Sequence, residues 1–364
     1  NPSLTIPIKE LLTKYRDEKI RSGSWGINTT KLSDDHSRVL VELLGNLPAH
    51  EIDHSKALLV KESLQKLPAH ARKKKAYRDK SLFELLRMGI QKQDLMSVTT
   101  INMKLSFYSE ACRWAQTNGL MKDNPFEGLQ LKDKRSPQSL RSPFSISEIN
   151  RIFSDRRIKD SPVRYKYWLP VMALYTGARI NELCQIHLED FVLIKGIWCL
   201  AITDEKAGQS LKTEGSRRII PLHSDLIALG ILEMVESSKQ GSKLRLFPEL
   251  KLDGGKYSRD ASKWFSRIKP SLLVGSDSKK CFHSFRHSFV DNLVNVAGLG
   301  ADPSIKMLLG HQNTDITTGL YGSGCDVSKL NKTIQCLNWQ SLGIRIERRQ
   351  DLVKGRLSIN RSHR

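Results

Sequence analysis

Residues 132–142 run Lys-Asp-Lys-Arg-Ser-Pro-Gln-Ser-Leu-Arg-Ser, a stretch too polar to bury and broken by a proline. No other feature constrains the fold as much, because the residues on its two sides must then close separate cores. Directly behind it, Ser145-Ile-Ser-Glu148 has the spacing of a capping box and opens a helix through Ile152 and Phe153. The chain therefore reads as a helical domain over 5–131, a linker over 132–142, a second domain over 143–335 and a basic tail over 336–364.

The first domain is read from apolar stripes of helical period. Ile8, Leu11, Leu12 and Tyr15 form one. Val39, Leu40, Leu43 and Leu44 form a second, and Leu58, Leu59 and Leu64 a third. The longest spans Thr99 to Asn118, with Ile101, Leu105, Tyr108, Ala111, Cys112 and Ala115 on one side, and Asn124-Pro125 is expected to end it. Between helical segments sits Arg72-Lys73-Lys74-Lys75, with Arg78 and Lys80 close by. It reads equally as a phosphate-contacting element and as a solvated loop.

In the second domain, residues 197–203 and 217–222 are rich in β-branched side chains and predict a small antiparallel element flanking a polar loop that contains Lys212. The rest, from about 223 to 340, predicts helices. The fold class is thus mainly α: an N-terminal helical domain, then a mixed domain of helices with a small antiparallel sheet.

Charge narrows the partner. Lys and Arg total 59 against 38 Asp and Glu, a net +21. So large an excess favours a polyanion, whose phosphates shed condensed counterions when basic side chains replace them. The six cysteines form no Cys-x-x-Cys pair and read as reduced, mostly buried thiols of a cytoplasmic protein. No apolar run approaches the roughly 18 residues needed to span a bilayer. The first residue is Asn1 and no signal-peptide core comes after it, which leaves room for a preceding segment.

Breaking a phosphodiester without a metal needs a nucleophile, cations on the non-bridging oxygens and an acid for the departing oxygen. Four separated segments can supply these. In Tyr175-Thr-Gly-Ala-Arg179-Ile-Asn-Glu182, a Thr-Gly turn places Arg179 in the first turn of a new helix, where its planar fork suits two phosphate oxygens and Glu182 shares its face. The plain alternative is an exposed ion pair. Lys212 lies in a loop ahead of Ser216-Arg-Arg-Ile-Ile-Pro-Leu222, where a lysine can swing into a cleft, although a single loop lysine means little alone. In His283-Ser-Phe-Arg286-His287, His283 and Arg286 point the same way, and Phe285 and Phe289 form the buried stripe. His283 alone reads equally as a structural histidine, the role assigned to His287. In Leu308-Leu-Gly310-His311, Gly310 caps a helix and His311 comes directly after it. Tyr321 lies ten residues on, with Thr317-Thr318 before it. Free tyrosine ionises near pH 10, so attack at neutral pH needs cations or a base beside it.

Taken in order, Arg-x-x-Glu after Thr-Gly, then Lys-Thr, His-x-x-Arg-His, Leu-Gly-His and Thr-Thr-x-x-Tyr resemble the active-site signature of the tyrosine recombinase, or phage integrase, family. The resemblance covers about residues 143–335 with specific motifs. Over 5–131 it is only to a generic helical core-binding domain. It implies that Arg179, Lys212, His283, Arg286 and His311 surround a scissile phosphate and that Tyr321 is the nucleophile, forming a 3′-phosphotyrosine bond and freeing a 5′ hydroxyl. Glu182 matches the acidic support position. The interval from His311 to Tyr321 is about one residue longer than the commonest family spacing.

The resemblance further implies a two-domain clamp on double-stranded DNA, a homotetramer exchanging strands through a Holliday junction, accessory DNA-bending proteins, and no cofactor. There is no Walker-type loop and no carboxylate cluster suited to Mg²⁺. The length and extended basic tail favour an integrase of a mobile element, bacterial or phage in origin. The alternatives are a Xer-like chromosome-dimer resolvase, a type IB topoisomerase-like enzyme, and a DNA-binding protein without catalysis.

Overall fold

The computed structural model describes residues 5–133, 142–275, 280–300, 302–310 and 326–349. The chain divides into two compact units, 1–135 and 136–364.

The N-terminal unit is helical: α1 (Ile8–Arg21), α2 (Ile27–Leu44), α3 (His54–Lys66), α4 (Leu82–Arg87) and α5 (Val98–Thr117). Helix α1 buries the four residues of its stripe, and α5 buries all six of its own. The third stripe is corrected. Leu64 is buried as expected, but Leu58 and Leu59 are 37% and 52% exposed, and α3 buries Ala57 and Val60 in their place. At 100° per residue, 57, 60 and 64 return to one face, whereas 58 and 59 do not return with 64. Helix α5 also ends earlier than expected, at Thr117. There Asn118 and Gly119, the latter with φ +68°, turn the chain well before Pro125.

Among the described residues, the same unit buries one cation. Lys104 is 4% exposed, and its Nζ donates to Asp35 Oδ2 at 2.9 Å. The basic run lies between α3 and α4. Arg72 donates to Glu42 at 3.2 Å, Lys74 donates to Asp94, and Lys73 and Lys75 are exposed.

The C-terminal unit comprises α6 (Ile146–Ser154), α7 (Arg156–Lys159), α8 (Arg164–Thr176), α9 (Ile180–Cys184), β1 (Phe191–Ile194), β2 (Ile197–Ile202), β3 (Arg218–Pro221), α10 (Ser224–Ala228), α11 (Ile231–Gln240), α12 (Ser258–Leu272), α13 (Ser284–Asp291), α14 (Pro303–Leu309) and α15 (Val327–Gln335). The capping box forms as its spacing requires: Glu148 N donates to Ser145 Oγ at 3.2 Å, and Ser145 N to Glu148 Oε2 at 2.7 Å. Helix α8 is buried from Tyr167 to Thr176, and α13 packs against it with Phe285 and Phe289 fully enclosed.

The sheet is antiparallel in the order β1-β2-β3, with Phe191 opposite Leu200 and Leu200 opposite Ile220. Strand β1 is an addition to the two strands expected. Its four residues turn into β2 through Lys195 and Gly196, both at positive φ (50° and 76°), which is the backbone of a tight hairpin.

Cys112, Cys184 and Cys199 are buried thiols, whereas Cys281 and Cys336 are exposed. The first residues of the basic tail pack on their own unit. Tyr167 Oη donates to Glu347 O at 2.7 Å, and Arg348 pairs with Glu233 at 3.0 Å. Among the described residues, no helix is long and apolar enough to cross a membrane.

Candidate active site

The site begins where α8 stops. Thr176 turns its hydroxyl back onto Met172 O at 2.6 Å and accepts Ala178 N–H at 3.2 Å. Gly177 then takes a left-handed φ of +62°, and a Cβ there would sit 2.5 Å from the Phe289 ring. Only glycine permits both the turn and the close approach of α13.

The turn delivers Arg179 to the N-cap of α9, one residue before the helix rather than inside its first turn as expected. Helix α9 is five residues long, and its own Glu182 fills that end. Glu182 Oε2 accepts Arg179 N at 2.9 Å, and Oε1 accepts Arg179 Nη1 at 2.6 Å. The i,i+3 pair is therefore real, but it is not an exposed surface pair. The Glu182 side chain is 5% exposed and Arg179's 27%.

A second guanidinium, which sequence reasoning did not single out, completes the carboxylate's environment. Arg218 opens β3 and is 5% exposed along its side chain. It donates from Nη2 to Glu182 Oε2 at 2.7 Å, from Nε to Leu308 O at 2.7 Å and from Nη1 to Ser216 O at 2.8 Å. Burial alone would raise the Glu182 pKa. The Arg218 charge and the hydrogen bonds from Arg218 and Arg179 outweigh it, and the carboxyl titrates below its ordinary range.

Arg286 is the third guanidinium, 5% exposed in the middle of α13. Nη1 donates to Gly177 O at 2.7 Å, and Nη2 to Leu309 O at 2.6 Å. One side chain thus joins the Thr-Gly turn to the end of α14. Burial, reinforced by the charges of Arg179 and Arg218, pushes its pKa down to about 9, so it remains a cation at neutral pH. Gly310 closes α14 at φ +62°, and a Cβ there would lie 2.9 Å from Arg218 Nη1.

The structure therefore brings Arg179, Glu182 and Arg286 together and adds Arg218. His283 caps the N-terminus of α13, three residues before Arg286, half-buried with its ring 4.9 Å from that of His287. Among the described residues, the Lys212 ammonium makes no hydrogen bond or ion pair with the guanidinium cluster's residues or any others. It is exposed in the loop between β2 and β3. The same loop touches the cluster at its far end, where Arg179 Nη1 reaches Ser216 Oγ at 3.4 Å. His311 and Tyr321, with Thr317 and Thr318, lie outside the described residues. Among those described, no group of three His, Cys, Asp or Glu side chains is placed to hold a metal ion.

Arg179 and Arg218 bind one carboxylate, and Arg286 lies near enough to feel the charges of all three, an excess of positive charge in a largely buried place. Such a place favours an anion, because each donor is fixed before the anion arrives and water does not screen it.

Helices with a small three-stranded antiparallel sheet match the folds of solved integrase–DNA complexes. Residues 144–323 match the phage integrase family and form a domain of that family. Solved structures share the fold. The Tn1549 transposon integrase in complex with a circular intermediate DNA is 20% identical, with a TM-score of 0.58 over 89% of this chain and 97% of that one. A lambda integrase dimer bound to a core site is 16% identical, with a TM-score of 0.57 over 90% of this chain and 82% of that one. A lambda integrase tetramer bound to a Holliday junction is 17% identical, with a TM-score of 0.56 over 85% and 79%. No curated protein sequence matches the chain.

Proposed function

We infer that this chain, a site-specific tyrosine recombinase by family, cleaves and rejoins double-stranded DNA with the scissile phosphate held at the Arg179–Arg218–Arg286 cluster. The observation that carries this reading is the cluster itself: two guanidinium groups on one buried carboxylate and a third, Arg286, held beside them by two backbone carbonyls. Arg179 and Arg286 grip the non-bridging oxygens, and Glu182 holds Arg179 in position. The Tyr321 phenolic oxygen attacks phosphorus as the P–O5′ bond breaks. His283 moves the phenolic proton, His311 donates a hydrogen bond to a phosphate oxygen, and Lys212 protonates the departing O5′. Rejoining reverses each step: a 5′ hydroxyl attacks, returns its proton to Lys212 and expels the tyrosine. One ester replaces another, so the exchange needs no ATP and no cofactor.

The reading extends to a homotetramer that passes through a Holliday junction, to accessory DNA-bending proteins, to phosphate contacts by Arg72, Lys73, Lys74 and Lys75, and to a mobile element in a bacterial or phage setting. The lambda integrase tetramer bound to a Holliday junction supports the first of these by analogy.

The test is a suicide DNA substrate resolved on a denaturing gel. Wild type forms a covalent protein–DNA adduct, and Tyr321→Phe binds the same DNA but forms none. An adduct that survives in Tyr321→Phe removes Tyr321 as nucleophile. Relaxation of any supercoiled plasmid, without exchange between defined sites, points to the topoisomerase alternative.

A further inference from the structure

The loop that carries Lys212 is not loose along its length. Its first part is fastened to a buried carboxylate outside the guanidinium cluster. Asp190 is 1% exposed just ahead of β1, and Oδ2 accepts His187 N at 2.8 Å. The other bonds to this carboxylate come from the loop: Lys206 Nζ donates to Oδ1, and Gln209 Nε2 donates to Oδ2 at 2.7 Å. Residues 206–209 close on themselves through Gln209 N to Lys206 O at 3.0 Å. Gly208, at φ +82°, lies where a Cβ would meet the Tyr257 hydroxyl at 2.5 Å, and Arg245 lies 4.1 Å from the centre of the Tyr257 ring. One residue beyond Gln209, Ser210 N donates to Gln185 Oε1 at 3.1 Å, an oxygen that also accepts Asn181 Nδ2 at 3.1 Å from α9, the helix that Arg179 caps.

At the other end, Thr213 and Ser216 share a hydrogen bond at 3.0 Å, and Arg218 holds Ser216 O. Lys212 thus stands on a short span between two fixed points, both tied to elements of the guanidinium cluster. A lysine that must reach one leaving oxygen gains from such anchoring, because a displacement of about 1 Å can cost a large part of a proton-transfer step.

We propose that Asp190, through Lys206 and Gln209, is a positioning residue for Lys212, setting where the leaving-group acid stands. This rests on the reading of Lys212 as that acid. Asp190 touches no reacting atom. It is placed to act through the loop alone, so weakening the anchor slows proton delivery to O5′ while phosphate binding by the arginines is left unchanged.

Changing the leaving group separates this role from a merely structural one. A substrate with sulfur at the bridging 5′ position expels a thiolate, which is a far weaker base than an alkoxide and leaves without an acid. Cleavage of oxygen and sulfur substrates is compared in full-length wild type, Lys212→Ala, Lys206→Ala and Asp190→Asn. Lys206 is 27% exposed, so Lys206→Ala weakens the anchor without replacing a buried side chain and serves if Asp190→Asn does not fold. Lys206→Ala and Asp190→Asn are expected to slow the oxygen substrate about tenfold or more, within the range of general-acid contributions, and to cleave the sulfur substrate within about threefold of wild type. The inference is overturned if both anchor variants match wild type on oxygen, or slow both substrates equally, while Lys212→Ala is rescued by sulfur. If Lys212→Ala is itself not rescued, the assignment of the acid fails, and the positioning role with it.

Discussion

The protein carries two concentrations of basic side chains, built in opposite ways. Arg72, Lys73 and Lys75 lie exposed near α3, and Lys74 is spent on Asp94. Arg218 and Arg286 are enclosed and Arg179 is part-buried, each fixed by carbonyls, a hydroxyl or Glu182. The first group can attract a phosphate backbone and be screened by salt. The second has too little conformational freedom to search for anything, and its geometry is set before a ligand arrives. Burial and hydrogen bonding, rather than charge count, distinguish the exposed run from the arginine cluster.

This contrast can be broken most severely at the clustered arginines. Arg286→Lys and Arg179→Lys keep the charge and lose the fork. Each is expected to reduce cleavage about 100-fold or more, roughly 3 kcal/mol on the transition state. Single-turnover cleavage checks this, and near-wild-type rates in either variant remove that arginine from the site.

Next in size is the carboxylate. Glu182→Gln leaves Arg218 buried with weakened compensation, and a loss of about 3 kcal/mol of stability is expected. Wild type carries a matching pH dependence. The folded-state pKa of Glu182 is depressed, so its contribution is complete above the unfolded value, near 4.5, and is lost as pH falls through the folded one. Denaturant titrations across that window read both effects, and a Gln variant with an unchanged acid profile contradicts the assignment.

Gly177→Ala comes third, at about 1–3 kcal/mol, because a Cβ collides with Phe289 on a left-handed residue. Thermal or denaturant unfolding of the variant reads this cost. The smallest effect belongs to the exposed run. Lys73→Ala and Lys75→Ala should each lower the salt slope of DNA binding by about one and leave the cleavage rate of bound DNA unchanged. A change in that rate would erase the distinction drawn between the two regions.

Much of this was legible in the residues, for identifiable reasons. The Arg179–Glu182 pair follows from i,i+3 spacing behind a Thr-Gly turn, and the Ser145–Glu148 box from its motif. Arg218 was not legible. Strand period two puts Arg217 with Ile219 and Arg218 with Ile220, so both faces carry an arginine and an isoleucine. Only the packed sheet decides that Arg217 is 56% exposed and Arg218 5%. Strand β1 is too short to declare itself without its Lys195-Gly196 turn. The α3 stripe misled because two adjacent leucines outweighed the smaller Ala57, which the core takes instead. The carbonyl partners of Arg286 come from residues 109 and 23 positions away, which no local pattern contains.

The most direct trial of the central claim is to digest the trapped protein–DNA complex and identify by mass spectrometry the residue that carries the nucleotide. A 3′-phosphoryl nucleotide on the peptide containing Tyr321, lost when Arg179 and Arg286 are both replaced, is the expected result. The nucleotide on any other side chain, or undiminished labelling without those two arginines, would contradict the account.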